Sequence, residues 1–160
     1  MGKRTKGRCA CGALRYEVNA PPLIVHACHC RNCRRLTGGA FVVNLWIEAK
    51  HVVLRSRIEP RSFRLPAGGG RRQDVFFCER CGTQVWSSYS IAPGSLFVRA
   101  GALERPESFP PDVHIFTRSK LPSVELPAGA RAFRSGYQPA KVWSAESLAR
   151  LGGNRRSRRR

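Results

Sequence analysis

The chain has 160 residues and a mass of 17.8 kDa, the size of one domain, which excludes a multidomain machine. Hydrophobic residues make up 42% and charged residues 24%, ordinary values for a globular protein, and no apolar run approaches the ~18 residues a membrane span requires. The formal net charge of +19 favours anionic partners, whether nucleic acid, acidic lipid headgroups or carboxylate-bearing thiols, and its sign alone does not choose among them.

In chain order, residues 1–6 read as a basic extension. The start, MGKRTKGRCACG, leads into cysteine and glycine instead of an apolar stretch, so it is not a secretory leader. Lys6 stands where myristoylation of Gly2 would need Ser or Thr, and a cytoplasmic location is the expectation. Cys9-x-Cys11 follows, with Gly12 directly behind it. Alternating or β-branched stretches at Ala13–Val18 and Leu23–Ala27 predict two strands that run into Cys28-x-Cys30-x-x-Cys33. Asn32 to Leu36 predicts one helical turn ending at Gly38-Gly39. Further strands are predicted at Ala40–Ile47, His51–Arg55, Ser62–Leu65 and Asp74–Phe77, the last running into Cys78-x-x-Cys81-Gly82. Beyond it, Gln84–Tyr89, Ser95–Arg99 and Val113–Thr117 complete nine strands separated by Pro and Gly turns. Ser144 to Leu151 predicts a short helix with Ser144 as N-cap and Gly152 as its stop. The last residues, GGNRRSRRR, carry too little apolar surface to pack and read as disordered, able to add salt-sensitive, nonspecific polyanion binding. The fold class expected is mainly β. Phosphate-loop, dinucleotide, kinase and G-x-S-x-G signatures are absent, so nucleotide chemistry and serine hydrolysis have no support.

All seven cysteines fall in the three clusters. An odd count at i, i+2 and i, i+3 spacings suits shared metal ions better than disulfides, and zinc is the natural occupant of clustered thiolates in a reducing compartment. Glycine directly after Cys11 and after Cys81 pairs these two clusters into one closed site of Cys9, Cys11, Cys78 and Cys81, a structural zinc joining chain segments 66 residues apart. Cys28, Cys30 and Cys33 are left with three thiolates. A fourth, vacant position would make this the catalytic metal. The competing reading is a closed structural site whose fourth ligand is His29, His114 or another group. His29 is the weaker candidate, because the residue between i and i+2 of an extended segment points away from the shared face. Three thiolates leave Zn²⁺ with a net charge of −1, a weak Lewis acid better suited to holding a substrate thiol as thiolate than to activating water. Arg31, Arg34 and Arg35 beside the cluster either offset this charge or bind carboxylates of the incoming thiol. Core packing is the default for Trp46, Phe76, Phe77, Trp86, Tyr89 and Phe97. Phe41, Trp46 and Trp86 are also candidate walls of the zinc pocket.

Taken together, Gly7-Arg8-Cys9-Ala10-Cys11-Gly12-Ala13-Leu14-Arg15-Tyr16, Cys28-His29-Cys30-Arg31-Asn32-Cys33-Arg34-Arg35-Leu36-Thr37-Gly38 and Phe77-Cys78-Glu79-Arg80-Cys81-Gly82-Thr83 resemble the glutathione-dependent formaldehyde-activating enzyme family. The resemblance continues through Val98–Leu103 and Pro111–Phe116. It implies a β-tent fold of stacked antiparallel sheets over residues 7–127; apart from the resemblance, residues 128–153 are expected to form an extension packing on the domain and 154–160 a disordered Arg-rich tail. It also implies a structural zinc on Cys9, Cys11, Cys78 and Cys81 and a catalytic zinc on Cys28, Cys30 and Cys33. The activity implied is a carbon–sulfur lyase that adds glutathione sulfur to formaldehyde, with Cys30 the ligand whose removal is expected to abolish turnover. The alternative is a zinc-stabilised, non-catalytic module binding nucleic acid, glutathione or a protein partner, for which only the stapled fold would matter.

Overall fold

The structure, a computed structural model, describes residues 4–67 and 70–156, with side chains as far as Gly152. All nine expected strands are present, and a tenth precedes them. In chain order they are β1 (Thr5–Arg8), β2 (Arg15–Val18), β3 (Ile24–Cys28), β4 (Val42–Glu48), β5 (Val52–Leu54), β6 (Arg61–Pro66), β7 (Arg72–Phe77), β8 (Gln84–Tyr89), β9 (Ser95–Arg99) and β10 (Val113–Ile115). Helix α1 (Arg31–Thr37) lies between β3 and β4, and α2 (Ala145–Arg156) ends the described chain. Sequence patterning overlooks β1 because Thr-Lys-Gly-Arg has no apolar alternation. Its place comes from pairing, Thr5 opposite Val18 and Gly7 opposite Tyr16. Only glycine fits at position 7, since a Cβ there would lie 2.3 Å from the Tyr16 ring.

Two sheets result. A three-stranded sheet has the order β1-β2-β5, and a seven-stranded sheet has the order β10-β3-β4-β9-β8-β7-β6. Every pairing is antiparallel except β10 with β3, which sets Ile115 beside Cys28. The strand period of two sorts the large sheet's side chains into two cores. Val25, Leu45, Ile47 and Val98 join Leu14, Tyr16, Val18 and Trp86 between the two sheets, together with Cys9 and Cys78. The alternate positions Ile24, Cys28 and Val42 join Cys33, Val113, Ile115, Trp143 and Leu151 in a second core, against which Trp46 and Tyr137 pack. The structure therefore gives each cysteine group its own core, on opposite faces of one sheet.

The C-terminal segment is clasped onto the edge of the domain. Ser147 Oγ donates to the Leu23 carbonyl at 2.8 Å, and Arg150 makes a two-pronged pair with Glu48 at 3.0 and 2.6 Å. Helix α2 starts behind Ser144, whose Oγ accepts from Ser147 N. It does not stop at Gly152 as expected but continues to Arg156. Glycine ends a helix where the chain turns through positive φ, and Gly152 does not do so. Of the tail expected to be disordered, residues 157–160 lie outside the described residues, as do residues 1–3 of the basic extension.

Candidate metal centres

Two tight turns build the four-sulfur group. Gly12, at φ 73°, donates its N–H to the Cys9 carbonyl at 3.0 Å, and Gly82, at φ 71°, donates to the Cys78 carbonyl at 2.8 Å. Each turn folds its cysteine pair back on itself, and together they bring all four Sγ atoms within 4.8 Å of one another. Cys9 Sγ lies 3.4 Å from Cys11 Sγ, which lies 3.9 Å from Cys78 Sγ. A tetrahedral thiolate site with metal–sulfur bonds near 2.3 Å has sulfur edges of about 3.8 Å, so the donor set fits a metal ion as it stands. The surrounding backbone favours thiolates. Leu14 N–H donates to Cys9 Sγ at 3.2 Å. Thr83 stands 3.2 Å from Cys81 Sγ, and its hydrogen bonds, with help from backbone N–H groups, hold that thiol down at about 5.

The three-sulfur group is built around the start of α1. Cys28 ends β3, and Cys30, in extended backbone, is the N-cap whose Sγ accepts from Cys33 N at 3.3 Å. The helix that presents Cys33 ends at Gly38 in the left-handed region, where φ is 70°. Cys28, Cys30 and Cys33 have their Sγ atoms within 4.8 Å of one another, and among the described residues no fourth cysteine, histidine or carboxylate joins them at that distance. Cys28 and Cys33 are buried and Cys30 is half-buried, so Cys30 is the edge nearest solvent. Hydrogen bonds to Cys28 and Cys33 hold the Cys30 thiol down at about 2, and the same contacts, with burial, drive Cys28 far above the ordinary thiol range. A divalent ion bound here would displace the protons these thiols still hold.

His29 points away from the sulfurs, as an extended Cys-x-Cys predicts. Its Nε2 meets His114 Nδ1 at 3.0 Å, and its ring tilts onto Phe41. His114 is therefore the hydrogen-bonded core histidine of the two readings open for it. Arg31 and Arg35 are exposed on α1, whereas Arg34 is half-buried with its Nε enclosed and without a hydrogen-bond partner. Of the proposed pocket walls, Trp46 packs in the core of the three-sulfur group, against Phe97 and Trp143. Phe41 lines a cavity of about 470 Å³ between α1 and the Cys78–Cys81 turn. Trp86 is not a wall of the three-sulfur group. It faces the opposite side of the sheet, edge-on to Tyr16.

A profile described as glutathione-dependent formaldehyde-activating enzyme matches residues 4–119. The chain belongs to this family. A protein of Halomonas elongata provisionally given the same name is 30% identical over 156 residues, covering 92% of this chain and 96% of its own length. A solved Rhodobacter sphaeroides protein is 21% identical, covers 62% of this chain and 87% of its own, and superposes with a TM-score of 0.49.

The family profile ends before the C-terminal segment that supplies Trp143 and Leu151 to the core around Cys28 and Cys33. In this family member, sequence reasoning also missed a row of buried polar residues on the face that carries Cys28. His26 on β3 stands opposite Asn44 on β4, which stands opposite Arg99 on β9, and Ser87 on β8 continues the row. The signal for it was a polar residue set inside an apolar run, Asn44 within Val42–Ile47 and Arg99 directly after Leu96-Phe97-Val98. Among the described residues no helix is long and apolar enough to cross a membrane.

Proposed function

We propose that the chain is a carbon–sulfur lyase that adds the thiol of glutathione, or of a similar small anionic thiol, to formaldehyde or a related aldehyde. The observation that carries this reading is the asymmetry of the two cysteine groups, four sulfurs closing one and three the other. Cys9, Cys11, Cys78 and Cys81 would hold a structural zinc, and Cys28, Cys30 and Cys33 a catalytic one. Bound by three thiolates, the second ion would offer a fourth position that captures an incoming thiol in its ionised, nucleophilic form. In the addition itself the sulfur–carbon bond forms, the carbonyl π pair moves onto oxygen, and that oxygen gains the proton the thiol gave up.

The chain's own residues shape this chemistry. Cys30 is the edge of the sulfur group nearest solvent, while Cys28 and Cys33 are buried in a core with Ile115 and Trp143, Ile115 standing beside Cys28 on the neighbouring strand. Arg31, Arg34 and Arg35 offer guanidinium groups beside Cys30 for the thiol's carboxylates, with Arg34, the least exposed of the three, the strongest anchor. Seven unbridged thiols support a reducing, cytoplasmic setting.

Zinc stoichiometry and turnover test the proposal together. The wild-type protein is expected to hold two zinc ions per chain and to form S-hydroxymethylglutathione faster than the uncatalysed mixture. Cys30→Ser should stay folded, lose one ion and fall to the uncatalysed rate. Full activity in that variant would end the lyase assignment.

A further inference from the structure

The polar row across the large sheet ends in an unusual cation. Arg99 is 4% exposed, and Asn44 and Ser87 beside it are 5% and 0% exposed. Its Nη1 donates to Asn44 Oδ1 and its Nη2 to Ser87 Oγ at 2.8 Å. Gln73 Nε2 donates to the same Ser87 Oγ at 3.1 Å, so the partner that fixes the guanidinium is itself fixed. The Arg99 Nε–H is buried and has no hydrogen-bond partner. Every ion pair formed by an arginine among the described residues involves another one: Arg55, Arg61, Arg64, Arg105 or Arg150. A buried guanidinium with no carboxylate beside it is strongly unfavourable unless an anion occupies the site.

Position says which anion. Cys28 and Val42 face each other one step along the same sheet face from His26, Asn44 and Arg99. Arg99 also lines the same cavity as Leu36 and Thr37 of α1, the helix that presents Cys33. The guanidinium is therefore held rigid on the sheet face that carries Cys28, with its Nε–H unpaired. A zinc carrying three thiolates polarises a carbonyl weakly, so an aldehyde at this site needs another group to receive its oxygen. A fixed, water-poor donor is what a developing oxyanion requires.

We propose that the Nε–H edge of Arg99, oriented by Asn44 and Ser87, binds a small oxyanion next to Cys28, Cys30 and Cys33. Resting on the lyase reading, the same edge takes the aldehyde oxygen as negative charge develops during thiol addition. The sulfur–carbon bond forms as the carbonyl π pair becomes a lone pair on oxygen, hydrogen-bonded to Arg99. Water then protonates that oxygen, replacing the proton released when the thiol ionised, and Arg99 stays charged throughout.

The test uses the zinc-loaded protein and formate as the one-carbon oxyanion probe, with binding followed by calorimetric titration. Arg99→Gln is expected to weaken formate binding by at least about thirtyfold and to lower kcat about a hundredfold, with both zinc ions and the glutathione KM retained. Unchanged formate binding in Arg99→Gln would overturn the site, as would loss of zinc in step with activity, which would make Arg99 a counter-charge for the sulfurs alone. If Arg99→Gln does not fold, Arg99→Lys keeps the charge and removes the planar Nε edge. Weakened formate binding there supports the site, and wild-type affinity overturns it. A wild-type protein that binds formate through Arg99 yet never accelerates thiol addition would sustain the anion site and sink the lyase reading instead.

Discussion

Glu48 is 2% exposed, a degree of burial that a carboxylate tolerates only when paired. Burial alone would raise its carboxyl, but the Arg150 guanidinium outweighs it and holds Glu48 below the usual carboxylate range. A carboxyl depressed in the folded state contributes stability that is present above its unfolded value, near pH 4.3, and is lost as the pH falls through the folded value. Arg150→Met would strand the charge and is expected to lower stability by about 3 kcal/mol at pH 7. The gap from wild type should narrow as the pH falls and begin to do so above about pH 4.3, because the buried Glu48 of the variant, without its guanidinium, takes up a proton at a higher pH than an ordinary carboxylate. Urea titrations at pH 7 and pH 4 check both the size and the trend, and a gap that widens on acidification would contradict the pairing. The same reasoning sets Arg99 apart, since its burial comes with two neutral partners and no carboxylate.

Among the elements, the C-terminal segment has the least expected role. Trp143 is 7% exposed and packs edge-on to Trp46, and its Nε1 donates to Tyr137 Oη at 2.8 Å. Tyr137 Oη in turn lies 2.5 Å from His26 Nε2. This chain of contacts ties residues beyond the family profile to the strand that ends in Cys28. Trp143→Ala should cost about 3–5 kcal/mol and speed zinc loss from the three-sulfur group more than from the four-sulfur group, as a chromogenic chelator would record. Equal loss from both would show that the segment does not shield Cys28 and Cys33. The segment also marks where the sequence stops being legible. The nine alternating strands and the sorting of seven cysteines into four and three can be read from residue type and spacing, because period and ligand chemistry are local. Strand β1 cannot, because its residues have no apolar pattern and Tyr16 supplies the reason for Gly7. The Asn44–Arg99 pairing cannot, because β4 and β9 are adjacent only through the sheet order, more than fifty residues apart in the chain. Trp86 reads equally well as core or pocket wall until the face it occupies is known.

For the whole molecule, the four-sulfur group joins the start of the small sheet to the β7–β8 turn of the large one, with Cys9 and Cys78 inside the core between them. The structural zinc proposed for this group would contribute free energy comparable to the entire ~5–15 kcal/mol stability of a domain. Cys81→Ser is therefore expected to unfold or aggregate, whereas Cys30→Ser keeps a wild-type circular dichroism spectrum and melts cooperatively. Matching loss of structure in both variants would mean that the three-sulfur group is a staple too. The same long closure governs how the chain is made. Cys9 and Cys11 leave the ribosome well before Cys78 and Cys81, so during synthesis the first pair waits as exposed, oxidisable thiols while some seventy residues emerge. Oxidative stress should thus strike the nascent polypeptide harder than the finished protein, in which two of these four sulfurs are sealed away.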